Sequence, residues 1–194
     1  MERGETKKIR VEAAVIGGSH GSLEAFRKII AQLSTPLSFP LVVVFHQSPE
    51  SQDGLLESIV QQWSVMTVKE AEDKEQIQNG VIYLAPAGYH LLIENDRTFA
   101  LNVDERVNYS RPSIDVLFES AADTYGDQLF GCVLTGANPD GAAGLRAIKA
   151  KGGLTIVQDP QTSLSLEMPQ AAIKTASPDL ILSPEEIGAF VARL

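Results

Sequence analysis

The chain has 194 residues, 44% hydrophobic and 21% charged, the balance of one folded domain with length enough to bury a core and too little to divide comfortably into two. Its formal charge of −9 excludes generic nucleic-acid binding and attachment to anionic membrane surfaces, both of which draw on Lys and Arg. The lone Cys132 cannot close an intrachain disulfide; within the apolar run "FGCVLTG" it reads as a buried thiol in a protein of a reducing compartment.

The opening "MERGETKKIRVE" has no apolar stretch of signal-peptide length, and no later segment approaches a membrane span, so residues 1–10 are expected as a flexible tail on a cytoplasmic protein. Strand-length apolar runs then recur at 11–17, 40–46, 64–71, 80–86, 131–136, 153–158 and 179–183. Several are apolar at consecutive positions, the pattern of strands covered on both faces. Helical stripes lie between them: Leu23, Phe26, Ile30 and Leu33 follow one, and Ile114, Leu117, Phe118, Ala121, Ala122 and Tyr125 another. Segment 90–103, "HLLIENDRTFALNV", breaks the rhythm and predicts an antiparallel hairpin about Asn95-Asp96-Arg97, near one edge. Ser183, Pro184 and Glu186 announce the last helix with a capping box and a proline at its first position. The alternation predicts a doubly wound α/β fold, a mostly parallel sheet with helices on both faces, formed by residues 11–194 as one unit.

The first strand runs into "VIGGSHGSLEAF". A dinucleotide fingerprint read from Gly17 lacks two of its three glycines, and no Lys follows as a phosphate-binding loop requires. What matches is G-x-S-x-G, as Gly17-Gly18-Ser19-His20-Gly21, between a strand and a helix. Such a turn exposes the Ser19 hydroxyl at the carboxyl edge of the sheet, where helix N–H groups can meet an oxyanion; the plain alternative is a turn or capping serine.

A serine nucleophile needs a base, and the base a carboxylate. Of three histidines, His20 follows the serine, where its side chain would point elsewhere around the turn and line the pocket, whereas His90 would sit at the opposite edge if its strand were parallel. His46 ends the second strand; if that strand is the parallel neighbour of the first, the two carboxyl ends lie about 5 Å apart and His46 stands beside Ser19. A packed or solvated histidine is its alternative. "CVLTGANPDGAAGL" repeats the strand, small-residue loop and helix pattern and brings Asp140 to the same edge, as triad acid or as an ordinary helix cap. The order Ser, His, Asp differs from that of ordinary α/β-hydrolases. No H-E-x-x-H or Cys/His cluster is present, so neither metal nor other cofactor is expected.

With these residues in place, the sequence resembles the catalytic domain of the chemotaxis receptor methylesterases, the protein-glutamate methylesterases of CheB type. The resemblance rests on "VIGGSHGS", "VVFHQSPES", "YLAPAGYHLLI", "SRPSIDVLFESAA", "VLTGANPDGAAGL" and "LEMPQAAI", in family order from about residue 11 to 182. It implies Ser19 as nucleophile, His46 as base, Asp140 as the acid orienting it, backbone N–H groups of His20 and Ala137 as oxyanion donors, and Arg111 near the substrate. The implied reaction is hydrolysis of γ-glutamyl methyl esters on cytoplasmic receptor helices, with methanol released and, in some members, receptor glutamines deamidated. Neither nucleic acid nor membrane insertion is expected.

Three departures bear on that expectation. His20 stands where a small hydroxyl residue is usual, Ser22 where a second glycine is usual, and "GANPDG" replaces "GMGNDG". Pro139 has no N–H and a fixed φ, which could shift Asp140 and leave a non-catalytic module that docks on receptors. Family members commonly carry an N-terminal receiver domain; nothing of that length precedes residue 11, so the expectation is either an excised catalytic domain or a protein that stands alone under other control.

Overall fold

The computed structural model describes residues 10–47 and 54–194; most of the expected tail, and the "SPES" end of the second motif, lie outside these described residues. Strands β1 (Ala13–Gly18), β2 (Leu41–Phe45), β3 (Thr67–Glu70), β4 (Val81–Leu84), β7 (Leu129–Val133), β8 (Leu154–Gln158) and β9 (Leu180–Leu182) form one sheet in the order β3-β4-β2-β1-β7-β8-β9. Every neighbouring pair is parallel, including β1 with β2, where Gly18 is level with Phe45.

The consecutive apolar residues of the central strands serve two cores because alternate side chains leave opposite faces. Ala13, Val15, Val42 and Val44 pack with Leu117, Phe118, Leu145 and Ile148, from helices α3 (Ile114–Tyr125) and α4 (Ala142–Ala150), and with Ala172 of α5 (Glu167–Ala176). Ala14, Ile16, Val43 and Phe45 face the other way, onto Phe26 and Ile29 of α1 (Ser22–Ile30), Val60 of α2 (Leu55–Gln61) and Ile187 and Val191 of α6 (Pro184–Val191). The fold is therefore the doubly wound α/β arrangement that the sequence predicts. Cys132 is fully buried in the second core, and burial pushes its thiol pKa up. The capping box at Ser183 and Glu186 forms as expected.

The hairpin also forms, as β5 (His90–Ile93) and β6 (Phe99–Asn102), antiparallel with Ile93 level with Phe99. It makes its own two-stranded sheet, held to the segment after edge strand β3 by the bonds Lys74 N–H to Phe99 O and Phe99 N–H to Glu75 O. Because β5 is not in the parallel sheet, His90 is not sent to the far edge.

Chain order sets where a ligand can enter. From central β1 the chain first builds the β2, β4, β3 side and later the β7, β8, β9 side, so the loops leaving β1 and β7 diverge at their carboxyl ends and open a crevice. Gly141, at φ 93°, ends the loop after β7 and lets α4 start against α3, since an added Cβ would lie 2.8 Å from Ile114 Cγ2.

Candidate active site

The turn after β1 is locked by its own backbone. Ser19 N–H donates to Thr135 O at 3.0 Å, tying it to the loop after β7, and Gly21 takes φ 84° to begin α1. The Ser19 carbonyl accepts from both Ser22 N–H (3.0 Å) and Ser22 Oγ (2.6 Å), so the serine standing for a glycine closes the turn. Ser19 is half-buried at the mouth of the crevice.

His46 follows β2 and is fixed to the same edge by its N–H, which donates to Gly18 O at 3.1 Å. Its Nε2 meets Asp140 Oδ2 at 2.7 Å, joining residues 94 apart in the chain. Asp140 does not cap its own helix, whose N-cap is Gly141. Its carboxylate caps α3 instead: Oδ2 accepts the Ile114 N–H at 2.7 Å, and Oδ1 accepts Ser113 Oγ at 2.8 Å, Asn108 Nδ2 at 3.1 Å and the Asp115 N–H at 3.2 Å. Burial alone would push this carboxyl up, but the bonds from His46, Ile114, Asn108 and Ser113 outweigh it and hold the pKa below the usual value. An ionised Asp140 can only accept, so the imidazole proton sits on Nε2 and its basic lone pair on Nδ1.

Pro139 does not displace the acid. Asn138 Oδ1 accepts the Asp140 N–H at 3.1 Å and Pro139 O accepts the Ala142 N–H at 3.2 Å, an Asx-type turn that needs no donor at Pro139. Thr135, fully buried, stitches the first and third loops to a fourth before α5. Its Oγ1 accepts the Ser165 N–H (2.9 Å) and lies within donating distance of His20 O (3.0 Å) and Ser165 O (3.1 Å). The His20 side chain is exposed, its Nδ1 2.8 Å from Ser165 Oγ. Among the described residues the N–H groups of His20 and Ala137 have no acceptor.

The structure brings His46 and Asp140 into contact and Ser19 to the same rim, but no hydrogen bond among the described residues joins Ser19 to His46. The Nδ1 of His46 instead faces Ser110 Oγ at 3.1 Å, with Asn138 Nδ2 at 3.4 Å. Arg111 lines a small cavity of about 60 Å³ beside His46, Tyr109 and Ser110. Its Nη1 donates to Val103 O (2.7 Å) and Asp104 O (2.9 Å), while its buried Nε has no partner among the described residues. A wider cavity of about 670 Å³ lies at the amino end of the strands, between Arg10, Asn79 and Leu194, remote from this chemistry.

Several residues around the site had no role that the sequence alone assigned. Asn108 bridges two buried acids, donating to Asp115 Oδ2 (3.0 Å) as well as to Asp140. Asp115 also accepts the Gly144 N–H at 2.7 Å; burial, with the Asp140 charge nearby, raises its pKa to about 6. His90 is buried behind them, with Nε2 3.0 Å from Glu105 O and Nδ1 accepting the Ser113 N–H at 3.2 Å, so it supports the start of α3. The "SRPSID" segment was the available signal for Ser110, Ser113 and Asp115, but spacing alone does not say that its side chains turn toward Asp140 and His46.

Among the described residues no group of three His, Cys, Asp or Glu could hold a metal ion, and no helix is long and apolar enough to cross a membrane.

Known proteins resemble this chain along most of its length. The family model for the CheB methylesterase matches residues 14–191. A Leptospira interrogans protein is 49% identical over 183 residues, covering 94% of each chain. An Archaeoglobus fulgidus protein-glutamate methylesterase/protein-glutamine glutaminase is 38% identical over 179 residues, 89% of this chain and 49% of that protein. The crystal structure of the Thermotoga maritima CheB methylesterase catalytic domain superposes with a TM-score of 0.89 at 31% identity, covering 95% of this chain and 99% of that one. The chain belongs to the CheB methylesterase family.

Proposed function

We propose that the protein is a serine hydrolase that removes methyl groups from γ-glutamyl methyl esters on the cytoplasmic helices of chemoreceptors. The observation that carries the reading is the His46 to Asp140 contact of 2.7 Å at the strand edge that also ends in Ser19. His46 takes the Ser19 hydroxyl proton on Nδ1 as Ser19 Oγ attacks the ester carbonyl. The N–H groups of His20 and Ala137 receive the oxyanion, each such donor being worth about 3 kcal/mol in the transition state. His46 returns the proton to the departing methoxide, methanol leaves, and water activated by the same nitrogen frees the glutamate side chain. A glutamine side chain entering the same site would leave ammonia in place of methanol, which agrees with the double name of the Archaeoglobus relative.

Arg111, beside the cavity next to His46, is assigned to the substrate side of the site. Residues 11–194 are assigned as the catalytic unit, working in the cytoplasm where such receptor helices lie. The substitutions that motivated a non-catalytic docking module leave Asp140 on His46, which removes its main support.

The test is methanol release from methylated receptor. Wild type is expected to release it and Ser19→Ala to fall to the background without enzyme. Equal release by the two proteins would exclude Ser19 as nucleophile, and no release by wild type would exclude the esterase.

A further inference from the structure

We propose that Ser110 is a positioning residue that holds the basic edge of His46 in the resting protein and must give it up to Ser19 before the reaction begins. The inference rests on the hydrolase reading above. Nε2 is committed to buried Asp140, so a proton from Ser19 can be taken only at Nδ1. That nitrogen has one in-plane lone pair, and Ser110 Oγ is its nearer neighbour at 3.1 Å, with Asn138 Nδ2 farther off at 3.4 Å. While the Ser110 O–H donates there, the Ser19 O–H cannot. On activation the Ser110 bond breaks and its proton stays on its own oxygen; the Ser19 proton then moves to Nδ1.

What holds Ser110 in place is a two-residue turn. Val107 and Ser110 exchange backbone hydrogen bonds of 3.2 and 2.9 Å around Asn108 at φ 49° and Tyr109 at φ 65°. Two successive positive φ values suit Asn followed by Gly; a tyrosine there is strained, and its ring, 94% exposed, recovers nothing by packing. The strain is tolerated because the neighbours are tied down, Asn108 to Asp115 and Asp140, and Ser110 to His46. Ser110 is not itself placed as the nucleophile, because the unpartnered N–H groups of His20 and Ala137 belong to the turn of Ser19 and to the loop bonded to it.

The test is the rate at which a small alkyl fluorophosphonate labels the full chain, with the adduct mapped by mass spectrometry. In Ser110→Ala, Ser19 is expected to be labelled roughly three- to tenfold faster than in wild type, the population equivalent of one neutral hydrogen bond. Ser110→Thr keeps the hydroxyl and is expected to return to the wild-type rate. Tyr109→Gly relaxes the turn, firms the Ser110 contact and is expected to slow labelling, which gives a second arm of opposite sign. Labelling of Ser110→Ala that is unchanged or slower, Ser110→Thr as fast as Ser110→Ala, or an adduct on Ser110 would overturn the proposal while leaving the hydrolase standing. Absence of any adduct on Ser19 in all the proteins would overturn the hydrolase reading, and this one with it.

Discussion

Asp140 and His46 meet at 2.7 Å through an oxygen that also accepts the Ile114 N–H at 2.7 Å, so the acid orienting the imidazole is itself oriented by the start of α3. The helix N-terminus favours the ionised form, and the ionised form fixes which imidazole nitrogen stays basic.

Asp140→Asn keeps the shape and loses the charge. Methanol release is expected to fall about 10⁴-fold, the scale for a triad acid. Its amide also sets one NH₂ against donors from Ile114 or Ser113, which costs about 1–3 kcal/mol, readable by urea unfolding. The pH dependence follows from a folded-state pKa below the usual carboxylate value. Stability contributed by Asp140 is complete above the unfolded-state pKa and is lost as pH falls through the lower folded value. Wild type should therefore lose more stability than Asp140→Asn on acidification from neutral to below about pH 4. A constant difference between the two would contradict this account.

Thr135→Val is nearly the same size but removes the hydroxyl joining His20, Ser165 and the loop after β7. Leaving the Ser165 N–H without this acceptor and the His20 carbonyl without this donor should cost about 1 kcal/mol on urea unfolding and slow phosphonate labelling of Ser19, with Thr135→Ser restoring both. A stable variant with unchanged labelling would show that the stitch does not position the site.

Asp115 titrates in the opposite sense. Its folded pKa is raised from 3.8 to about 6, so the folded state holds the proton more tightly than the unfolded one. Its contribution to stability therefore declines as pH rises through the window from about 4 to about 6. Measured over that window, the stability of Asp115→Asn relative to wild type should improve with rising pH. A relative stability of Asp115→Asn that falls, or stays flat, over that window would mean that the folded state does not raise the Asp115 pKa.

The parallel pairing of β1 and β2, and with it the shared edge of Ser19 and His46, was legible because both runs are apolar at consecutive positions, one leading through glycines to Ser19 and the other ending in His46. Asp140 was legible through a repeated strand, loop and helix pattern. Its partner helix was not, because an acid before one helix reads as that helix's cap, and only the hydrogen bonds from Ser113, Ile114 and Asp115 show that it serves α3. The turn at 107–110 was hidden because Tyr109 occupies a positive-φ position without glycine. The roles of Ser110 and Asn108 were hidden with it. His90 was misdirected for a related reason: its place depended on strand direction, and β5 belongs to an antiparallel pair. What the sequence conveyed was the edge on which the residues gather; which hydroxyl meets the imidazole is a matter of rotamers and loop geometry.

The most direct measurement is a crystal structure of the protein after reaction with a small organophosphonate. The account predicts phosphorus bonded to Ser19 Oγ, its oxygen between the N–H groups of His20 and Ala137, and His46 Nδ1 turned from Ser110 toward the adduct with Nε2 still on Asp140. Phosphorus on any other residue, or an adduct on Ser19 whose oxygen points away from both N–H groups, would contradict it.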